Sequence, residues 1–119
     1  MSLAAHVAVS VVALLHAWFL ILEMLLWDKP LGLKTFRMKP EQAAATKRLA
    51  MNQGLYNGFL AAGLVWGLWL GGAEGGRVQC FFLGCVIVAG VFGAATVGRS
   101  ILLVQALPAA VALALVLLA

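Results

Sequence analysis

The sequence is short of charge. Lys, Arg, Asp and Glu together make up 10% of its 119 residues, against 65% hydrophobic residues. The mean hydropathy is +1.08. A soluble globular domain carries about 25% charged residues, and one this small has too much surface to cover with so few polar groups. Lipid is therefore the expected solvent for most of the chain. Cysteine is scarce too. Cys80 and Cys85 would sit about 140° apart around a helix, so they are not expected to bond to each other and read as small buried apolar side chains.

Other absences exclude whole classes of function. No His-x-x-x-His or Cys-x-x-Cys occurs, and His6 would lie about 15 Å from His16 along a helix. No metal, haem or other cofactor is expected. Neither a phosphate-binding loop nor a nucleophile elbow is present. No stretch alternates polar and apolar residues over about 10 positions, as a barrel strand does. No basic region precedes Leu3, and the first apolar run is too long for a cleaved signal peptide.

What the sequence does have is long apolar runs. Three of them, 3–27, 49–70 and 78–97, reach the length of about 20 helical residues that crosses a bilayer. A fourth, 101–119, is marginal and carries Pro108. The expectation is an all-α fold, a polytopic four-helix membrane bundle forming a single domain over residues 1–119. The segment 28–48 holds six of the eight Lys and Arg residues. The positive-inside rule makes it a cytoplasmic loop and sets both termini on the outer side. Topology thus accounts for the net charge of +4 better than nucleic-acid binding does. Pro30 and Gly32 are expected to interrupt regular structure, and Pro40 to open a new helix. Gly71–Gly76 reads as an outer turn, and Gly98-Arg99-Ser100 as a tight inner one. Small residues recur at helical spacing, as in Gly54 and Gly58. Such faces let helices approach closely in lipid, within one chain or between copies, so the oligomeric state stays open.

The polar residues inside the runs are few and clustered. Asn52-Gln53-Gly54-Leu55-Tyr56-Asn57-Gly58 is the densest uncharged polar stretch in the chain. With Trp27, Leu49, Gly98 and Ser100 set at one boundary, Glu23 lies roughly 6 Å deep and His16 roughly 16 Å. Asn52 and Gln53 lie at about 5 to 6 Å, Tyr56 and Asn57 at about 11 to 12 Å, and Gln105 at about 8 Å. Arg99 sits at the boundary itself. His16 and Glu23 share one face of the first run, offset by about 20°. The expected ligand-binding set is His16, Glu23, Asn52, Gln53, Tyr56, Asn57, Arg99 and Gln105, with Glu23 level with Asn52 and Gln53. An ionisable side chain within a span is costly and marks a functional position by default. A hydrogen-bond knot tying two helices together is the structural alternative.

The strings His16-Ala17-Trp18-Phe19, Glu23-Met24-Leu25-Leu26-Trp27 and Ala50-Met51-Asn52-Gln53-Gly54-Leu55-Tyr56-Asn57-Gly58-Phe59-Leu60 resemble a bacterial membrane family catalogued as domain of unknown function 1304. The resemblance covers essentially the whole chain. It implies a multi-pass protein of the bacterial inner membrane, and it implies that the histidine, the glutamate and the amide cluster belong to the family pattern. It implies no activity. Three functions are compatible with the residues. The first is binding or transport of a small hydrophobic or cationic ligand. The second is proton-transfer catalysis by His16 and Glu23 on a lipid-soluble substrate. The third is a structural or partner-binding role. Both of the first two predict a cavity near His16.

Overall fold

A computed structural model describes residues Met1–Leu118. The fold is all-α, as expected, with no strand among the described residues. The elements are α1 (Leu3–Met24), α2 (Pro30–Phe36), α3 (Pro40–Leu70), α4 (Gly72–Thr96) and, after a π-helical segment at Leu102–Ala106, α5 (Leu107–Leu118). Two helices, α1 and α4, are long and apolar enough to cross a membrane, and Leu102–Leu118 forms a shorter apolar helix. Although α3 is longer than either, the charged and amide residues of its first half dilute its apolar character. The chain divides into two compact units. Unit 1 comprises Met1–Leu14 and the chain from Leu60 onward, and unit 2 is Leu15–Phe59. Both α1 and α3 contribute residues to each unit.

Unit 1 is built on an apolar cluster drawn from four helices. Val9, Val12 and Ala13 come from α1, Leu64 from α3, Leu83 and Val86 from α4, and Ala109 and Ala112 from α5. Glycines set the closest approaches. A methyl group on Gly75 would strike the carbonyl oxygen of Gly67, so α3 and α4 touch backbone to backbone. That contact explains a departure from expectation. The run Gly71–Gly76 is not a six-residue turn. Gly71 and Gly72 take positive φ angles of 66° and 58°, and α4 begins at Gly72. Left-handed backbone suits glycine, and the close contact at Gly75 offsets the cost of holding a glycine in a helix.

On the far side of α4, a methyl group on Gly90 would lie 2.7 Å from the Ala106 nitrogen, and one on Gly93 would lie 3.0 Å from Ile101. Gly90 and Gly93 are therefore used within the chain. Ala106 closes the π segment, where the Leu107 N–H bonds to the Leu102 carbonyl. The segment stands immediately before Pro108, whose ring clashes with the carbonyl four residues back and which has no N–H to offer it. A widened turn is a common way to absorb such a mismatch. The tight turn expected at Gly98-Arg99-Ser100 is present. Ala119, the last residue of the fourth apolar run, lies outside the described residues.

Unit 2 is built from the second half of α1, from α2, and from the first half of α3. Pro40 opens α3 as expected, but Pro30 does not interrupt structure. It opens the seven-residue helix α2 from an extended Lys29. The same physics applies to both prolines, because φ is preset for a first helical residue and no N–H is lost. Gly32 is buried in α2, and a methyl group there would overlap the carbonyl oxygens of Leu26 and Trp27. The absent side chain lets α2 seat directly on the backbone that follows α1. Trp27 and Phe36 pack in a tilted contact with centroids 4.7 Å apart, and the Trp27 Nε1–H donates to Thr46 Oγ1 at 3.1 Å.

Gln79, on α4, is 1% exposed, and neither its Nε2 nor its Oε1 has a hydrogen-bond partner among the described residues. An unsatisfied buried amide costs about 1–3 kcal/mol, while an apolar replacement of the same shape escapes that cost. Gln79→Met should therefore raise the thermal unfolding midpoint of the purified protein. A lower midpoint would show that the amide has a partner.

Candidate functional site

The site is best built from α3 outward. Ala50, Gly54 and Asn57 are buried at i, i+4 and i+7, so one face of the helix is turned inward in unit 2. A methyl group on Gly54 would meet Met24 Cγ at 2.6 Å and Glu23 Cβ at 3.0 Å, and one on Gly58 would meet Leu20 Cδ1 at 2.6 Å. The Gly-x-x-x-Gly pair thus serves the contact of α3 with α1. It brings the two backbones close enough for short polar side chains to reach across.

Glu23 and Asn57 meet in that contact. The Asn57 Nδ2–H donates to Glu23 Oε1. Glu23 is 4% exposed and Asn57 7% exposed. No ion pair among the described residues includes Glu23. His16 is fully buried on the same helix, its ring edge-on to Phe19 at 5.2 Å and 71°.

The other expected members lie elsewhere. Asn52, Gln53 and Tyr56 are exposed. Asn52 and Tyr56 each stand two residues from Gly54, about 200° round the helix, so a face that turns Gly54 towards α1 turns them away. The expected pairing of Glu23 with Asn52 and Gln53 is replaced by Glu23 with Asn57. The antiparallel register sets Gly54 beside Met24 and Gly58 beside Leu20. That is about half a turn from the register that puts Trp27 and Leu49 at one level. Arg99 and Gln105 belong to unit 1, where Arg99 is exposed after α4 and Gln105 is partly buried in the π segment.

Unit 1 holds two features of its own. A concavity runs along α4, lined by Cys80, Phe81, Gly84, Cys85, Val88 and neighbouring residues. It is an apolar helix face and includes none of the expected site residues, so it is not the cavity expected near His16. Both cysteines there are free and partly exposed rather than buried. The second feature is Gln79, a buried polar residue that the sequence did not single out. It stands at the margin of its apolar run, where an amide reads as a boundary residue.

At the edge of unit 2, Lys47 Nζ and Asp28 Oδ2 pair at 3.0 Å. The hydrogen bond from Lys47, with its charge, holds the Asp28 carboxyl below the usual carboxylate range. The pair's stabilisation is present above the unfolded carboxyl's pKa and is lost as pH falls through the lower folded value. At an exposed position it is small.

Removing Asn57 tests the buried contact. Asn57→Leu leaves the Glu23 carboxyl without its donor and should destabilise the protein by about 1–3 kcal/mol. The double change Glu23→Leu with Asn57→Leu should recover much of that loss, because neither partner then remains unsatisfied. Thermal unfolding of the two single variants and the double variant closes the cycle. Additive losses would mean the contact contributes nothing.

No curated protein and no solved structure matches the chain. One family profile does, over residues 10–117, and its description is a protein of unknown function, DUF1304. That match spans nearly the whole sequence, including α1 from Ser10, the Asn52–Gly58 stretch and α4. By that coverage, the chain belongs to the DUF1304 family.

Proposed function

We propose that this chain is a multi-pass protein of the bacterial inner membrane, and that Glu23, with Asn57 and His16, binds a small hydrophobic cation for uptake, export or sensing. The membrane reading has three supports. Both α1 and α4 have the length and composition of spans. Both also expose large apolar side chains along their middle turns. Leu14 is 70% exposed, and Val88 and Phe92 are each 69% exposed, whereas the core helix of a soluble protein would bury such residues. Finally, the basic residues gather in 28–48, as an inner-side loop requires. On this reading α1, the apolar half of α3, α4 and Leu102–Leu118 are the four spans, and both termini lie outside.

The observation that carries the ligand reading is the buried carboxyl with one neutral donor and no ion pair among the described residues. A carboxylate offers about four lone-pair positions, and Asn57 engages one oxygen. In a low-dielectric setting such a group is under-compensated, and a lipophilic cation supplies what is missing. The close approach of α1 and α3 at Gly54 favours a second reading, in which Glu23 and Asn57 are an interhelical clamp and bind nothing.

Equilibrium binding of tetraphenylphosphonium to detergent-solubilised protein separates the two. Glu23→Gln keeps an oxygen that can accept from Asn57, so the contact survives while the charge is lost. On the ligand reading, that variant keeps its thermal midpoint and loses at least about tenfold in affinity, or roughly 1.4 kcal/mol. Failure of the wild type to bind, or equal binding by Glu23→Gln, would leave the clamp.

A further inference from the structure

The chain's formal net charge is concentrated in one place. Segment 28–48 has six cations against Asp28 and Glu41, which equals the +4 of the whole chain. Within it, Lys29, Lys34, Arg37 and Lys39 lie on or beside α2, and all four are exposed. Asp28, the adjacent acid, is occupied by Lys47 at 3.0 Å. No acidic residue stands between Lys29 and Lys39. Leu31 and Phe36 are exposed in the same short segment as these cations.

That segment is held in place. Gly32 seats α2 on the carbonyls of Leu26 and Trp27, and Phe36 packs against Trp27. The end of α2 is fixed by a reverse turn in which the Arg37 N–H bonds back to the Leu33 and Lys34 carbonyls, and the Met38 N–H to Leu33 at 2.9 Å. This closing motif ordinarily places glycine at its left-handed position. Here Arg37 occupies it, with φ 52° and ψ 49°, and it is the one non-glycine residue with positive φ among the described residues. A guanidinium stands where backbone stability alone would favour glycine.

We infer that α2 and its flanks, through Lys29, Lys34, Arg37 and Lys39, form a binding surface for the headgroups of anionic phospholipids. The cations meet the phosphate, with Arg37 able to do so through two donors, and Leu31 and Phe36 enter the acyl boundary. Juxtamembrane cations attract anionic lipid with an energy that adds per residue and is screened by salt. The inference rests on the membrane placement proposed for the chain and is independent of the Glu23 site.

The experiment uses the full-length protein reconstituted in phosphatidylcholine vesicles. A trace of spin-labelled phosphatidylglycerol or spin-labelled phosphatidylcholine is added, and the motionally restricted fraction of each is measured. Flotation of the protein with the vesicles first checks the membrane placement. The wild type should restrict phosphatidylglycerol in preference by about twofold to fivefold at low salt, and the preference should fall towards unity at high salt. The variant K29Q/K34Q/R37Q/K39Q should lose the preference. Arg37→Gly should lower it while keeping or raising the thermal midpoint, which separates lipid contact from folding. Glu23→Gln should retain it. Equal restriction of the two lipids by floated wild-type protein would overturn the inference. An undiminished preference in the fourfold variant would do the same, as would loss of the preference to inorganic phosphate at matched ionic strength.

Discussion

A carboxyl group that is 4% exposed needs a donor, and the geometry of unit 2 follows from supplying one. Asn57 is a short side chain, so it reaches Glu23 only if α1 and α3 lie nearly backbone to backbone. Gly54 and Gly58 permit that by offering no side chain where Met24 and Leu20 must pass. The same register fixes which polar residues of α3 stay out, since Asn52 and Tyr56 are carried away by the helical repeat. A larger residue at either glycine would separate the helices and strand the carboxyl, so the packing requirement and the polar requirement are one constraint.

Unit 1 applies the same principle without a polar pair. Small residues let helix backbones approach closely enough for extensive van der Waals packing. Gly67 with Gly75 and Gly90 with Ala106 provide it. The apolar cluster around Leu64 and Leu83 fills the interior. Gln79 is the exception, buried beside Gly67 with its amide unmatched. Its contrast with Glu23 shows what a partner contributes, since only one of these two buried polar groups has a hydrogen bond to orient it.

Much of this was legible in the sequence, and the rest was hidden for identifiable reasons. The all-α class, the start of α3 at Pro40, the turn after α4 and the use of Gly54 and Gly58 follow from hydropathy, proline chemistry and helical spacing. Glu23, His16 and Asn57 were singled out because polar groups are rare in such runs, and the structure buries all three. The partner of Glu23 was misassigned because depth was measured from Trp27 and Leu49. Contact register depends on which small residues face each other, and that is a tertiary property. Helix α2 is hidden in the sequence because Pro30 and Gly32 have the look of breakers, although one begins a helix and the other lets it seat closely. The early start of α4 was missed because four glycines in six residues resemble a turn until Gly67 is brought against Gly75.

The division of the chain places its chemistry unevenly. Residues 15–59 contain Glu23, His16 and Asn57, and also six of the eight Lys and Arg residues. Outside that unit the charged residues are Glu74, Arg77 and Arg99 alone, among mostly apolar side chains. Packing alone does not demand this asymmetry, because unit 1 achieves a close-packed interior with small and aliphatic residues. A buried carboxyl and a basic segment held around a fixed short helix are both expensive features, one through desolvation and the other through mutual repulsion of like charges. Both lie within the 45 residues of unit 2, while unit 1 bears a cost of its own in the unmatched amide of Gln79. The ligand proposed at Glu23 and the lipid proposed at α2 would each offset one of these costs, whereas nothing proposed for unit 1 relieves Gln79.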